Sequence, residues 1–418
     1  MTTNVRRENG KVFIEDQVEG PLEVKYGLPP EVKFCRNCVL SNQRAAPSES
    51  VTDTPETTKK TVHFDDEGLC DACRVVGRKQ EVDWDKRQAD LIALLDAKRS
   101  RNGAYDCLVP GSGGKDSIYA AHMLKTKFGM NPLTVTFAPH IYTDVGWRNF
   151  QNWIHVGGFD NYLFTVNGEV QRTLTRLAYR NLLHPFQPFT IGQRYFPVKL
   201  ARQFGLSLIF YGENAAEYGT AGDKDSESQV PIRYFTLDPK EEIFLGGVPI
   251  RELADYGLTK RMLDPYLPIS EEMVSEAGIE SHYLGYFLPW TPQENYYYSV
   301  EHADFEANTE RTEGTFSKYN SIDDRVDGFH YWTGHLKFGI GRCTHEASQE
   351  VRHGHITREE AVALVHRYDG EFPKRYFQDF LDYLDMSAEE FHEIADSFRS
   401  PHLWRRTNEG WELRHRVA

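Results

Sequence analysis

The heptapeptide Gly111-Ser-Gly-Gly-Lys-Asp-Ser117 packs three glycines, two hydroxyls, a lysine and a carboxylate into one turn. It follows the short apolar run Cys107-Leu-Val-Pro110 and precedes a stretch with helical spacing that ends near Phe128. Glycine admits backbone angles closed to other residues and lets a ligand approach the main chain. A strand entering the turn and a helix leaving it put free N–H groups and the positive end of a helix dipole there. Ser112 and Ser117 add hydroxyl donors and Lys115 adds charge, so the segment reads as a concave anion nest. It is not a Walker A loop, because Gly114-Lys115 is followed by Asp116 rather than Ser or Thr. A carboxylate at that point repels bare phosphate, and it makes chemical sense as a ligand for Mg²⁺ bridging phosphate oxygens. Ser112, Gly113, Gly114, Lys115, Asp116 and Ser117 are the candidate phosphate-binding residues, and the last three are also candidate catalytic residues.

A second set of residues suggests metal. Cys35-Arg-Asn-Cys38 and Cys70-Asp-Ala-Cys73 are two identically spaced pairs, with Val62 to Cys70 reading as a strand that leads into the second. Four thiolates at this spacing can close a tetrahedral Zn²⁺ site, and a closed site has no position for water, which gives it a structural role. An iron–sulfur cluster is the competing occupant. The two remaining cysteines are Cys107, on the apolar run before the turn, and Cys343, in Gly341-Arg-Cys-Thr-His345. A nucleophile turn wants a small residue after the cysteine, so Cys343 is not read as a glutaminase nucleophile, and any ammonia comes from elsewhere.

A third set lies in Tyr331-Trp-Thr-Gly-His-Leu-Lys-Phe-Gly-Ile-Gly-Arg-Cys-Thr-His-Glu346. His335, Lys337, Arg342, His345 and Glu346 crowd one stretch, and arginine suits carboxylate and phosphate recognition. With Tyr331 or Trp332 as a flat wall, these residues fit a pocket for an anionic, hydroxyl-rich small molecule. A packed helical hairpin with paired charges is the alternative.

The elements that must position these groups alternate. From Tyr105, strand-like runs (DCLVPG, PLTVTFA, NYLFTV, LSLIFYG) are separated by helical ones. That order predicts an α/β fold with a mainly parallel sheet. Ligands in such sheets lie at the carboxyl ends of the strands. The Gly111–Ser117 turn resembles the PP-loop of ATP pyrophosphatases, and that resemblance implies that Phe137 to Asp144, including Ala138, lies beside adenosine and that Tyr211 to Tyr218 brings Glu213, Asn214 and Glu217 to the same edge as Asp116. The expected organisation is an N-terminal arm, cysteine lobe and helix over 1–104, an ATP-binding domain over 105–240, and a mainly helical region over 241–418. A helix is expected near Trp84 to Lys98 with Leu91, Ile92, Leu94 and Leu95 as its apolar face. Thr357-x-x-Glu360 and Ser387-x-x-Glu390 read as capping boxes.

Of the 418 residues, 40% are hydrophobic and 26% charged, as in a soluble globular chain. The net charge of -14 argues against a long nucleic acid as partner, since phosphate contacts require a basic face. No run is long enough to span a membrane, and MTTNVRRENG lacks the apolar core of a signal peptide. A cytoplasmic location is expected, in keeping with cysteines paired as C-x-x-C.

SGGKDS resembles the loop of the N-type ATP pyrophosphatases, the PP-loop. Over most of the chain, FCRNCVL, DEGLCDAC, TVTFAPHIYTDVGWRNFQNW, DNYLFT, NLLHPFQPFTIGQRYFP, FYGENAAEYG and YWTGHLKFGIGRCTHEAS resemble the bacterial N-acetyl sugar amidotransferases of surface-polysaccharide biosynthesis. The resemblance implies ATP cleavage between the α- and β-phosphates and conversion of an acetamido sugar, of pseudaminic, legionaminic or diamino-uronic type, to an acetamidino sugar. It implies an N-acetylated, nucleotide-activated sugar as substrate, and ammonia from a separate glutaminase and synthase pair. By position, Glu213 or Glu217 is the expected base for ammonium. A PP-loop tRNA thiolase and a non-catalytic adenylate-binding partner of a glutaminase are the competing readings.

Overall fold

A computed structural model describes residues 3–8, 11–16, 20–46, 50–212 and 228–418. The chain opens on strands β1 (Thr3–Glu8) and β2 (Lys11–Asp16), an antiparallel hairpin where the sequence suggests only an extended arm. The cysteine lobe follows and ends in helix α1 (Asp71–Arg78), and α2 (Trp84–Lys98) leads to the sheet. Leu91 and Leu95 are buried in α2, whereas Ile92 is 43% exposed. Residues four apart share a helix face, and the residue after Leu91 is turned about 100° away from it.

The sheet region runs β3 (Cys107–Pro110), α3 (Lys115–Thr126), β4 (Pro132–Phe137), α4 (Asp144–His155), β5 (Asn161–Phe164), α5 (Gly168–Leu182), α6 (Gln187–Phe204) and β6 (Leu208–Tyr211). A two-residue ribbon, β7 (Phe244–Leu245) with β8 (Val248–Pro249), and short helices α7 (Lys260–Leu263) and α8 (Glu271–Glu276) precede β9 (Glu280–Tyr283) and α9 (Leu284–Phe287). The five-stranded sheet has order β5-β4-β3-β6-β9, and every pairing is parallel. Every residue of β4 is buried, as expected when helices cover both faces. The edge strand β9 comes from beyond residue 240, so the sheet recruits part of the C-terminal region. From β3 the chain steps outward to β4 and β5, then crosses back to place β6 on the other side of β3. This reversal opens a crevice outside the carboxyl ends of β3 and β6.

The remainder is helical, as the sequence predicts: α10 (Pro292–Ala303), α11 (Asp327–Phe338), α12 (Arg342–Arg352), α13 (Arg358–Tyr368), α14 (Phe377–Leu384) and α15 (Ala388–Ser397). Thr357 and Glu360 form a complete capping box on α13. Ser387 accepts from the Glu390 amide to cap α15. Strands β10 (Trp404–Thr407) and β11 (Gly410–Leu413) close a four-stranded antiparallel sheet with the N-terminal hairpin, in the order β1-β2-β10-β11. The largest core is aromatic: Phe329 stacks on Phe380 at 4.3 Å and Trp332 on Phe391 at 5.6 Å, between α11, α14 and α15.

Candidate functional site

Gly111 to Ser117 forms the joint between β3 and α3. Gly113 has φ +83°, and a Cβ there would stand 2.7 Å from the backbone of Phe150, so both conformation and space require glycine. A Cβ on Gly111 would overlap Ser117. Gly114 is the N-cap of α3 and offers no side-chain acceptor, which leaves the first amides of the helix free for an anion. Lys115 is buried, and its ammonium donates to Asp116 Oδ2 at 2.6 Å. Asn295 on α10 donates to Asp116 Oδ1 at 2.9 Å, and Ser299 donates to the Lys115 carbonyl at 2.9 Å. Helix α10 therefore fixes both charged residues of the turn, a role the sequence alone did not reveal.

The turn separates two cavities. The smaller, about 320 Å³, lies over the carboxyl ends of β3, β4 and β6 and is lined by Gly111, Ser117, Phe137, Arg194, Tyr211 and Tyr234 among others. The Arg194 guanidinium stacks over the Tyr234 ring at 4.0 Å, and the buried Tyr211 hydroxyl has no hydrogen-bond partner among the described residues. The larger cavity, about 650 Å³, extends from the same turn to α11 and α12. Ser112, Gly114, Asp116, Thr190 and Gln193 line both cavities.

Of the C-terminal candidates, Tyr331, Lys337, Arg342 and His345 line the larger cavity. Trp332 and His335 lie on the other side of α11, where Trp332 packs against Phe391 and Phe372, and His335 against Trp404. Arg342 donates to Glu346 Oε1 at 2.8 Å and to the Tyr331 hydroxyl, with its guanidinium 4.5 Å from the Tyr331 ring centroid. Burial works against the Arg342 charge, but Tyr331, Glu346 and Asp327 outweigh it and hold the guanidinium ionised. Burial lowers the Lys337 ammonium to about 7, assisted by repulsion from Lys59, and the group donates to the Leu182 carbonyl at 2.8 Å. Burial likewise keeps His345 neutral and lowers His330 to about 3.

Sequence reasoning missed four contributors to this wall. Arg44, from the loop between the two cysteine pairs, donates to His345 Nε2 at 2.8 Å. Asp323 and Asp327 line the cavity, and Asp324 ties it together by accepting from the His140 and Val326 amides at 2.8 and 3.0 Å and pairing with His140 Nδ1 at 2.8 Å. The run Asp-Asp-Arg-Val-Asp327 just before the Tyr331 segment was the available signal. Ala138, expected near adenosine, is buried beside β5, and its amide donates to the Phe164 carbonyl. Residues 140–143 instead bind the 323–325 turn. Glu213, Asn214 and Glu217 lie outside the described residues.

The four cysteines converge as expected. Their sulfurs all lie within 4.8 Å of one another, with Cys35 to Cys73 and Cys38 to Cys70 both 3.7 Å. Metal–sulfur bonds of about 2.3 Å in a tetrahedron place sulfurs about 3.8 Å apart, so the four sulfurs fit a single ion. A cubane cluster would interpose its own atoms and hold the thiolates further apart. The Cys70 amide donates to Cys35 Sγ at 3.4 Å, and Arg352 on α12 approaches Cys38 Sγ at 3.9 Å, both suited to thiolate charge. The segment Val62 to Cys70 is not a strand. Asp65 Oδ1 accepts from the Glu67 and Leu69 amides, and Gly68 at φ +79° turns the chain, leaving only the bridge Phe64 to Cys70.

Residues 313–418 match the family described as LPS biosynthesis protein WbpG-like, C-terminal domain, which bears out the resemblance drawn from the motifs. An uncharacterized protein of Methanocaldococcus jannaschii is 33% identical over 78 residues, 19% of this chain, and the chain covers 28% of that relative's length. Among solved structures, NMN synthetase from Francisella tularensis overlaps 61% of this chain and 95% of its own at 14% identity and TM-score 0.25. The U34-tRNA thiolase NcsA from Methanococcus maripaludis, solved with its 4Fe-4S cluster, overlaps 80% and 89% at 9% identity and TM-score 0.29. Overlaps this loose have no bearing on function.

Proposed function

We propose that this chain, whose residues 313–418 are a WbpG-like domain of lipopolysaccharide biosynthesis, is an ATP-dependent amidotransferase that converts the acetamido group of a sugar to an acetamidino group. The observation that carries the reading is the glycine-rich Gly111–Ser117 turn standing as the common wall of two cavities. ATP takes the smaller cavity with its phosphates on the turn, and the sugar takes the larger one. The acetamido oxygen then meets the α-phosphorus at the wall.

An amide carbonyl is a poor electrophile with a poor leaving group. Attack of its oxygen on the α-phosphorus forms the O–P bond, releases pyrophosphate and leaves an O-adenylyl imidate. Ammonia adds to the imidate carbon, and the C–O bond breaks as AMP departs. The amides at the start of α3, with Ser112, Lys115 and Ser117, hold the pyrophosphate. Asp116 would hold Mg²⁺, which when bound offsets phosphate charge. Arg342, with Arg44 behind His345, favours a negatively charged sugar such as a nucleotide-linked one. Cys35, Cys38, Cys70 and Cys73 would hold zinc in a structural role, keeping the Arg44 loop against α12.

A thiolase reading finds less support. Thiol chemistry needs accessible thiolates, but Cys107 and Cys343 are fully buried, burial raises both thiols, and neither lines a cavity. The test is incubation with ATP, Mg²⁺, ammonium and a panel of N-acetylated nucleotide sugars. The proposal requires a product in which NH replaces oxygen, with AMP formed in equal amount. AMP-free turnover, or tight RNA binding that weakens steeply with salt, defeats it.

A further inference from the structure

Resting on the amidotransferase reading, we propose that Asp327 is the proton acceptor that converts ammonium to ammonia in the larger cavity, the role for which the sequence offers Glu213 or Glu217. Among the described residues, three acids line this cavity: Asp116, Asp323 and Asp327. Asp116 accepts from Lys115 and Asn295 and is assigned to the phosphate side of the turn. Asp323 lies against the turn, where the nearby Ser112 favours its carboxylate form. Asp327, the first residue of α11, is 8% exposed and lines the cavity without a salt bridge to any described cation. It lies on the same cavity wall as Tyr331 and Arg342, facing the chamber assigned to the sugar.

The charged surroundings of Asp327 are Asp323 and Asp324 from the preceding turn, Arg342 from α12, and Tyr331 one helical turn along α11. Burial, then repulsion by Asp323, raises the carboxyl to about 7 against the opposing pull of Arg342. A group poised there exists in both protonation states near neutral pH, as a general base that must also return its proton requires. The step balances. The Asp327 carboxylate takes one proton from ammonium, and the ammonia formed makes the new C–N bond at the imidate carbon. The Asp327 proton then passes to the imidate nitrogen, and as the C–O bond breaks the departing AMP phosphate takes one proton from the added nitrogen, leaving an amidinium product and AMP.

The experiment compares wild type with Asp327→Asn and Asp327→Glu, using labelled pyrophosphate, ammonium chloride, hydroxylamine and UDP-linked N-acetylhexosamines. Pyrophosphate–ATP exchange reports adenylylation without ammonia. Asp327→Asn is expected to keep exchange within a few-fold of wild type and to lose about 10²-fold or more in ammonium-dependent turnover. Asp327→Glu is expected to recover part of that loss. Hydroxylamine, largely uncharged at neutral pH, needs no base and is expected to restore turnover in Asp327→Asn. The proposal is overturned if exchange and turnover fall together, if ammonium turnover persists in Asp327→Asn, or if hydroxylamine gives no rescue. Absence of exchange in the wild type with every sugar overturns the parent reading itself, and is thereby distinguished from failure of Asp327.

Discussion

The turn at Gly111–Ser117 is made of seven consecutive residues, held by the strand before it and the helix after it. The rest of the larger cavity's lining takes Arg44 from the cysteine lobe, Asp323 from a loop nearly three hundred residues later, Asp327 from the start of α11, and Arg342 and His345 from α12. The first depends on backbone conformation, glycine and a helix dipole; the second depends on buried charge and long-range packing. Damage to the turn should therefore abolish chemistry without disturbing the wall, whereas damage to the wall or its supports should alter sugar recognition and stability first.

The largest effect belongs to the turn. Asp116→Ala and Lys115→Ala should each cost about 10³-fold or more in pyrophosphate formation, given that single preorganised electrostatic contacts contribute about 10²–10³-fold. Calorimetric binding of the sugar should change little; a matching loss there would erase the proposed division between turn and wall. Next is the metal. Structural zinc contributes on the order of 10 kcal/mol to such lobes, and Arg44 and Arg352 link this lobe to α12. Stripping the metal with a chelator should lower the melting temperature and remove sugar binding, while an ATP analogue still binds. Equal loss of both ligands would mean general unfolding. Arg342→Lys keeps the charge but loses the planar fork, so KM for the sugar should rise about 10- to 100-fold with KM for ATP unchanged.

Asp327→Asn also sharpens the contrast through stability. A carboxyl raised from 3.8 to about 7 in the folded chain binds protons there more tightly than in the unfolded chain. Its favourable contribution is present at acid pH and is lost as pH rises through about 7. Thermal melts should find Asp327→Asn more stable than wild type at pH 8 and about equal at pH 4, and the reverse order would contradict the buried-acid account. The smallest effect is expected at Trp332, which lies on the far side of α11 from the cavity. Trp332→Phe should cost no more than about 2 kcal/mol of stability and leave both KM values unchanged.

What the sequence reveals follows the same division. The glycine-rich turn between strand and helix, the parallel sheet around it and the cysteine cluster depend on local patterns, such as glycine spacing, alternating strand and helix runs and two C-x-x-C pairs, so they were readable. Tyr331, Trp332, His335 and Lys337 could be placed on one segment, but not on faces of α11. The helix separates Tyr331 and Lys337 from Trp332 and His335, and only the packing of Phe372, Phe391 and Trp404 decides which side is core. Arg44 sat in a polar stretch that reads as loop, and its meeting with His345 across 301 residues leaves no trace in spacing. Asn295 and Ser299 reach the turn only through the packing of α10 on α3, which no local pattern encodes.

The central claim is that the acetamido oxygen leaves as part of AMP. The direct measurement uses a sugar carrying ¹⁸O in the acetamido carbonyl, turned over with ATP and ammonium, followed by mass spectrometry of the nucleotide. The account predicts AMP bearing the label on its phosphate, in amount equal to the acetamidino product. Unlabelled AMP, or ADP with orthophosphate, would contradict it.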